Sequence, residues 1–412
     1  MQTTQKIFET MYINDTSAKG IKRLALEGKM TRYNLRTIAW KIWLGVLPLP
    51  VNSVWTSKVN NERKRYHELV KKYNNEAYVI DPLLSGSSDN ERDELKKKIK
   101  KDIDRLYNSI EFYCDTEIRT KISNVLYIFA REHNDLGYQQ GFHEIVGIFI
   151  RELVSDCELI QSNTIERGIL HTVICLNEIE ADAFILFEKL MTILGVFYEQ
   201  KRIKDSSTTS LIHFKCEKLF QLIAKYDPKY FATLIRHNIV PAVFGLRWIR
   251  MLYAREFHID DVVILWDAIF AFGHQLKLVD SLFIVMMLYV RNDIVERDDE
   301  SYSLRRLMKY PPVEDIKLLI ELAVALAEHR VSINGTSICM RVDQNSLLVD
   351  QPIDWLSKKK CSRDSDKIEE SLLQKLGTIQ RKLVLVDREE KINTQELLNI
   401  ASDLSKIIDT IK

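Results

Sequence analysis

Apolar residues three and four positions apart recur in one segment after another of this chain, and that spacing confines it to helices. Leu35, Ile38, Ile42 and Val46 follow it within LRTIAWKIWLGVLP, a stretch that Gly45 and Pro48 close. Ile118, Ile122, Val125 and Phe129 repeat it between Asp115 and His133, with Asp115 or Thr116 as the N-cap. FHEIVGIFIREL, EADAFILFEKLMTIL, PAVFGLRWIRMLYAREF and DDVVILWDAIFAF are each too long and too evenly apolar for a single strand, and no strand period runs through them. With 13 Gly and 8 Pro among 412 residues, the chain also lacks the turns of a strand-rich fold. The expectation is an all-α protein whose length calls for two lobes and an appendage.

Between these helices, SGSSDNERD at 85–93 holds small, polar and acidic residues with nothing to bury, and reads as an exposed loop. Lysines 96, 97, 98, 100 and 101 follow it, a charge run of the kind that ordinarily forms a solvated helix face. The stretch 330–366 has weak periodicity and reads as a linker. Beyond it, Ile368, Leu372, Leu376, Ile379 and Leu383, then Leu397, Ile400, Leu404, Ile407 and Ile411, mark two amphipathic helices. Asn393 and Glu396 cap the second, and a break near Asp387 lets the pair form a hairpin that docks on the domain or takes a partner helix. The organisation is a segment 1–19, a helical domain 20–330 with lobes of about 20–205 and 206–330, a linker 331–366 and C-terminal helices 367–412.

Composition removes several functions. The 59 basic and 58 acidic side chains nearly cancel, so the chain has none of the broad positive field of a nucleic-acid binder. Six scattered cysteines form no zinc or redox pair and fit reduced thiols in the cytoplasm. The N-terminus has no secretory pattern, and the apolar run Ser281 to Val290 is about half of what a membrane helix needs, so a buried core helix is expected there. Glu144 follows His143, yet Gly147 stands where a zinc-protease helix needs its second histidine. No phosphate-cradling loop ends in Lys and Ser or Thr, so any nucleotide belongs to another protein. No nucleophile with its base and orienter can be assembled from the sequence.

Two segments flanking the Asp115–His133 helix stand out: Ile99, Asp102 and Arg105 before it, Tyr138, Gln140 and Gly141 after it. That helix is roughly 28 Å long, so Arg105 and Gln140 meet only if the connection 106–114 runs back along it. IKKDIDR at 99–105 and YQQG at 138–141 resemble the two finger motifs of the TBC domain family, helical GTPase-activating proteins for Rab GTPases. The resemblance continues through LRTIAWKIWLGVLP, EADAFILFEKLM and FGLRWIRMLYAREFHIDDVVILWDAIFA, over about 310 residues. YQQGFHEIV, LRWIRMLYAREF and RLMKYPPVEDI look most like the member-five branch, which is associated with late endosomes and the retromer coat.

The resemblance implies a two-lobed all-α TBC domain in which Arg105 is an arginine finger and Gln140 a glutamine finger, both acting in trans on a GTP-loaded Rab. Charge spreads over the phosphoryl group in hydrolysis, and a planar, always protonated guanidinium suits that charge. It implies no cofactor of the chain's own, since Mg²⁺ and GTP come with the Rab, and no hydrolase activity of its own. A late-endosomal Rab is the implied substrate, retromer a further partner, and attachment to endosomal membranes indirect. Asp102 has a supporting role, as holder of the guanidinium or a backbone amide or as a plain surface carboxylate. Ile99 and Tyr138 pack beneath the two loops, and Gly141 turns the backbone so that Gln140 points outward. Arg36, Trp40, Arg247, Trp248, Trp266 and Asp267 match family positions whose duty is to fix helix contacts. Leu106 departs from the usual Thr after the arginine finger, and Phe142 from the usual Met. Leu106 and the candidate partner helices at 368–411 keep a second reading open: a Rab- or coat-binding scaffold of the same fold with little catalysis.

Overall fold

The computed structural model describes residues 4–75, 85–161, 168–198, 210–273 and 276–328. The 331–366 linker and the C-terminal helices lie outside the described residues. All described residues belong to the compact unit Met1–Gln344. Its helices of eight residues or more are, in chain order, α1 (Lys19–Leu26), α2 (Arg36–Trp43), α3 (Val54–Asn75), α4 (Ser85–Ile103) and α5 (Thr116–Glu132). There follow α6 (Phe142–Gln161), α7 (Ile179–Leu194), α8 (Leu211–Tyr226), α9 (Pro228–Arg236) and α10 (Ala242–Arg250). The series ends with α11 (Ile259–Phe272), α12 (Lys277–Tyr289), α13 (Glu300–Met308) and α14 (Ile316–Ala327). No strand occurs among the described residues. The expected all-α class is what the chain adopts.

Local chemistry sets the helix ends. Asp115 caps α5 by accepting from the backbone N–H groups of Glu117 and Ile118, and all four residues of the apolar stripe on α5 are buried. Gly45, at φ +77°, closes the chain after α2. The expected loop at 85–93 is instead the first half of α4. That helix carries acids in its first half and lysines in its last, an order that suits the helix dipole, and Lys97 reaches Glu94 at 3.0 Å. Acids placed ahead of lysines along the axis favour a helix without the apolar face that the sequence reading looked for.

α6 is buried on nearly all sides and runs through the middle of the first group of helices, packed by α2, α4, α5 and α7. α12, the expected core helix, holds the corresponding place among α8, α10, α11 and α14. The two groups meet where Trp40 of α2, Phe149 of α6 and Trp266 and Phe270 of α11 interlock, with ring centroids 5.5–6.0 Å apart for Trp40 with each partner. Each fully buried aromatic ring contributes a few kcal/mol of burial free energy.

A polar network borders this cluster. Arg36 Nε donates to both oxygens of Asp267 at 2.9 Å, its Nη1 reaches Glu152 at 2.7 Å, and Trp40 Nε1 donates to Asp267 at 2.8 Å. Thr37 gives both its backbone N–H and its hydroxyl to Asp156 Oδ2, while burial pushes that carboxyl up to about 7. Lys41, 1% exposed, donates to Asp182 and to the Val173 carbonyl, each at 2.7 Å. The segment before α1 also packs inward: Phe8 and Tyr12 are buried, and the Tyr12 hydroxyl donates to the Asn34 carbonyl at 2.6 Å.

Candidate functional site

Arg105 lies in the turn that ends α4, exposed, while its neighbour Leu106 is 2% exposed. The Leu106 side chain abuts Gly147 of α6, where a β-carbon would come within 3.3 Å of its Cδ2. The chain is therefore pinned immediately after the arginine. Tyr107 follows at φ +36°, and its ring packs on Tyr113 with centroids 5.1 Å apart. No side-chain hydrogen bond or ion pair engages the Arg105 guanidinium among the described residues.

Gln140 lies in the loop from α5 to α6, also exposed and with no side-chain hydrogen bond among the described residues. Gly137, at φ +58°, reverses the chain after α5. Gln139 is turned back on the loop, its Nε2 donating to the Leu136 carbonyl at 2.8 Å. Gly141 adopts φ +104°, a conformation that side chains resist, and a β-carbon there would fall 2.4 Å from Met251 Sδ.

One hydrogen bond braces the two loops together. The Tyr138 hydroxyl donates to Asp102 Oδ2 at 2.7 Å, and Lys98 of α4 donates to the Tyr138 carbonyl at 3.2 Å. Arg105 follows Asp102 by three residues and Gln140 follows Tyr138 by two. Asp102 thus holds the opposite loop rather than the guanidinium that the sequence reading offered it. Ile99, fully buried, and Tyr138, 4% exposed, lie beneath. α4 runs antiparallel beside α5, with Lys96 over the Tyr127 ring and Arg119 donating to Asn108. What α4 and the 133–138 reversal bring together is Asp102 and Tyr138, the neighbours of Arg105 and Gln140 in sequence.

Below the brace sit groups that the sequence reading passed over. His143 Nδ1 lies 3.2 Å from the Tyr138 hydroxyl, which leaves Nδ1–H as the donor once the phenol gives its proton to Asp102. Burial lowers the pKa of His143, partly offset by Glu144 and Asp102. Glu144, in the first turn of α6, accepts from Arg255 Nε at 2.8 Å and 3.0 Å to its two oxygens. Burial lifts the Tyr138 phenol above its ordinary range, and the bond to Asp102 adds to this, so it stays a donor. A charged Glu144 at the head of the apolar stretch 145–150 was the one sequence signal of this network; its partner lies 111 residues away.

Arg255 comes from a turn that the sequence reading ran through as helix. α10 ends at Arg250, and Leu252 and Tyr253 take φ +45° and +62°. Such left-handed residues cost about 1–3 kcal/mol each when they are not glycine. Buried bonds hold them: Trp266 Nε1 donates to the Leu252 carbonyl at 2.9 Å, and the Tyr253 hydroxyl to the Val279 carbonyl at 2.6 Å.

The Rab-GTPase-TBC domain model matches residues 33–295, which is more than half of the chain. The chain belongs to that family. Among the proteins similar to this TBC chain is TBC1 domain family member 5 of Homo sapiens, 28% identical over 360 residues covering 79% of this chain and 45% of that protein. Its Dictyostelium discoideum homolog B is 24% identical over 444 residues, covering 80% and 43%. The likeness to the member-five branch is therefore sustained, and the chain spans less than half the length of these curated relatives. Among solved structures, the Ypt/Rab-GAP domain of Gyp1p matches with a TM-score of 0.63 at 18% identity, over 80% of this chain and 98% of that one. That likeness is one of fold. No helix among the described residues of this TBC chain is long and apolar enough to cross a membrane.

Proposed function

We propose that this chain is a GTPase-activating protein for a Rab, with Arg105 as the arginine finger and Gln140 as the glutamine finger. The observation that carries the reading is that two exposed side chains, with no side-chain partner among the described residues, flank the Tyr138–Asp102 hydrogen bond that ties the end of α4 to the loop before α6. A guanidinium delivered in trans stabilises the charge of the transferring phosphoryl group by roughly 4–7 kcal/mol, or about 10³ to 10⁵ in rate. The Gln140 carboxamide accepts from the attacking water and donates to its surroundings. Mg²⁺ and GTP arrive with the Rab, and the TBC unit of about 20–330 acts as two lobes around that partner. Membership of the TBC family supports this reading, and the member-five likeness extends it to a late-endosomal Rab, retromer as a further partner, and indirect attachment to endosomal membranes.

The scaffold alternative drew on Leu106 and on the C-terminal helices, which lie outside the described residues. The Leu106 side chain is buried against Gly147 while Arg105 is exposed with no side-chain partner among the described residues, which supports the catalytic reading. Phosphate release measured over a panel of GTP-loaded Rabs tests the proposal. Stimulation of at least one Rab, lost in both Arg105→Ala and Gln140→Ala, is the expected result; a wild-type chain that binds Rabs and stimulates none of them returns the scaffold reading.

A further inference from the structure

The glutamine loop is built against a part of the chain more than 100 residues away. Met251 occupies the space beside Gly141 that any side chain at 141 would need, and Arg255 Nη2 would stand 3.9 Å from a β-carbon there. Arg255 then grips Glu144, three residues past Gly141, with its Nε between both carboxylate oxygens. Glu144 is only 11% exposed in its side chain, so a lost partner would leave a nearly buried charge uncompensated. The turn that supplies Met251 and Arg255 holds two consecutive non-glycine residues in the left-handed region, fixed by Trp266 and by the Tyr253 hydroxyl. Strain kept in place by buried bonds is a mark of a segment whose shape is used.

We infer that the 251–256 turn is a positioning device for Gln140. Met251 sets the backbone path through Gly141, and the Arg255–Glu144 ion pair fixes the first turn of α6 to that path. The carboxamide is thereby aimed from both sides: Asp102 braces the loop through Tyr138, and Arg255 braces it through Glu144. The Arg255 side chain is 35% exposed, so its removal opens no core cavity, and Glu144→Gln separates loss of the pair from a stranded charge. It is a positioning residue, acting through Gln140.

This inference rests on the reading of Gln140 as the glutamine finger, and the test separates the two. Rab-stimulated hydrolysis is measured for Arg255→Ala in the wild-type background and in Gln140→Ala, alongside hydrogen exchange of the 136–144 segment. Arg255→Ala is expected to lower kcat between about tenfold and a hundredfold with KM held within about twofold. In the Gln140→Ala background it should cause no further loss, and Arg255→Lys should recover part of the rate. Exchange at 136–144 should quicken in Arg255→Ala and in Glu144→Gln, and stay unchanged in Arg105→Ala. An equal loss in both backgrounds, or unaltered exchange in both pair variants, overturns the inference. Faster exchange with hydrolysis indifferent to Arg105→Ala and Gln140→Ala supports the positioning device and refutes the catalytic reading instead.

Discussion

Arg36 is 6% exposed, with Nε between the two oxygens of Asp267 and Nη1 on Glu152, whereas Arg105 stands exposed with no side-chain partner among the described residues. The sequence reading matched both to positions of the same family. The difference lies in where the donors are satisfied. Arg36 satisfies its hydrogen bonds inside the molecule and joins α2 to α6 and α11, so its energy is already part of folding. Arg105 keeps a planar fork of donors on a pinned turn, so its energy is available to a molecule that docks there.

The contrast is sharpest when both arginines are removed in turn. Arg105→Ala should cut Rab-stimulated hydrolysis by about 10³ or more while the unfolding free energy stays within about 0.5 kcal/mol of wild type. Arg36→Ala should cost about 3–5 kcal/mol in chemical denaturation, because two buried carboxylates lose their counter-ion. Equal stability losses for the two variants would erase the distinction. At the next size of effect, Gly141→Ala should destabilise the fold by about 2–3 kcal/mol and also lower stimulated hydrolysis, since both φ +104° and Met251 oppose a β-carbon. Full activity in that variant would show that the backbone path at 141 does not aim Gln140.

The buried network makes a pH-dependent claim that the exposed site does not. The Asp156 carboxyl is pushed up to about 7 by burial, above its value in the unfolded chain. The folded state therefore holds that proton more tightly, and stability falls as pH rises from about 4 towards 7 before levelling off. Asp156→Asn keeps an acceptor for Thr37 and removes the charge, so it should gain on the order of 2 kcal/mol at pH 8 and little at pH 4. Parallel pH profiles for the two proteins would count against a neutral-preferring Asp156. The smallest effect belongs to Tyr138→Phe, which removes the hydroxyl's bonds to Asp102 and from His143 and should cost about 1–2 kcal/mol in a thermal or denaturant melt. Its activity loss should nonetheless exceed what that destabilisation implies, because the bond it removes is the brace between the finger loops.

The helices of the apolar kind were legible because a period of three and four is a local property: the stripe on α5 and its Asp115 cap need nothing from elsewhere in the chain. α4 was missed over 85–93 because its support is charge order along the axis rather than an apolar face. The break after Arg250 was invisible for a different reason. Leu252 and Tyr253 are poor candidates for left-handed backbone, and only the distant Trp266 and Val279 hold them there. Arg105 and Gln140 were named through their motifs, and their setting was not: the Tyr138–Asp102 bond spans 36 residues and the Arg255–Glu144 pair 111, distances over which sequence spacing carries no geometric information.

Leu106 has a thermodynamic consequence for the residue beside it. Seated against Gly147 on α6, it immobilises the main chain at the arginine before any encounter takes place. An encounter then has to freeze the rotors of one long side chain, about 1.5–2 kcal/mol, instead of about 1–2 kcal/mol for every residue of a floppy loop. If that encounter is with the proposed Rab, more of the contact energy is left for the reaction itself.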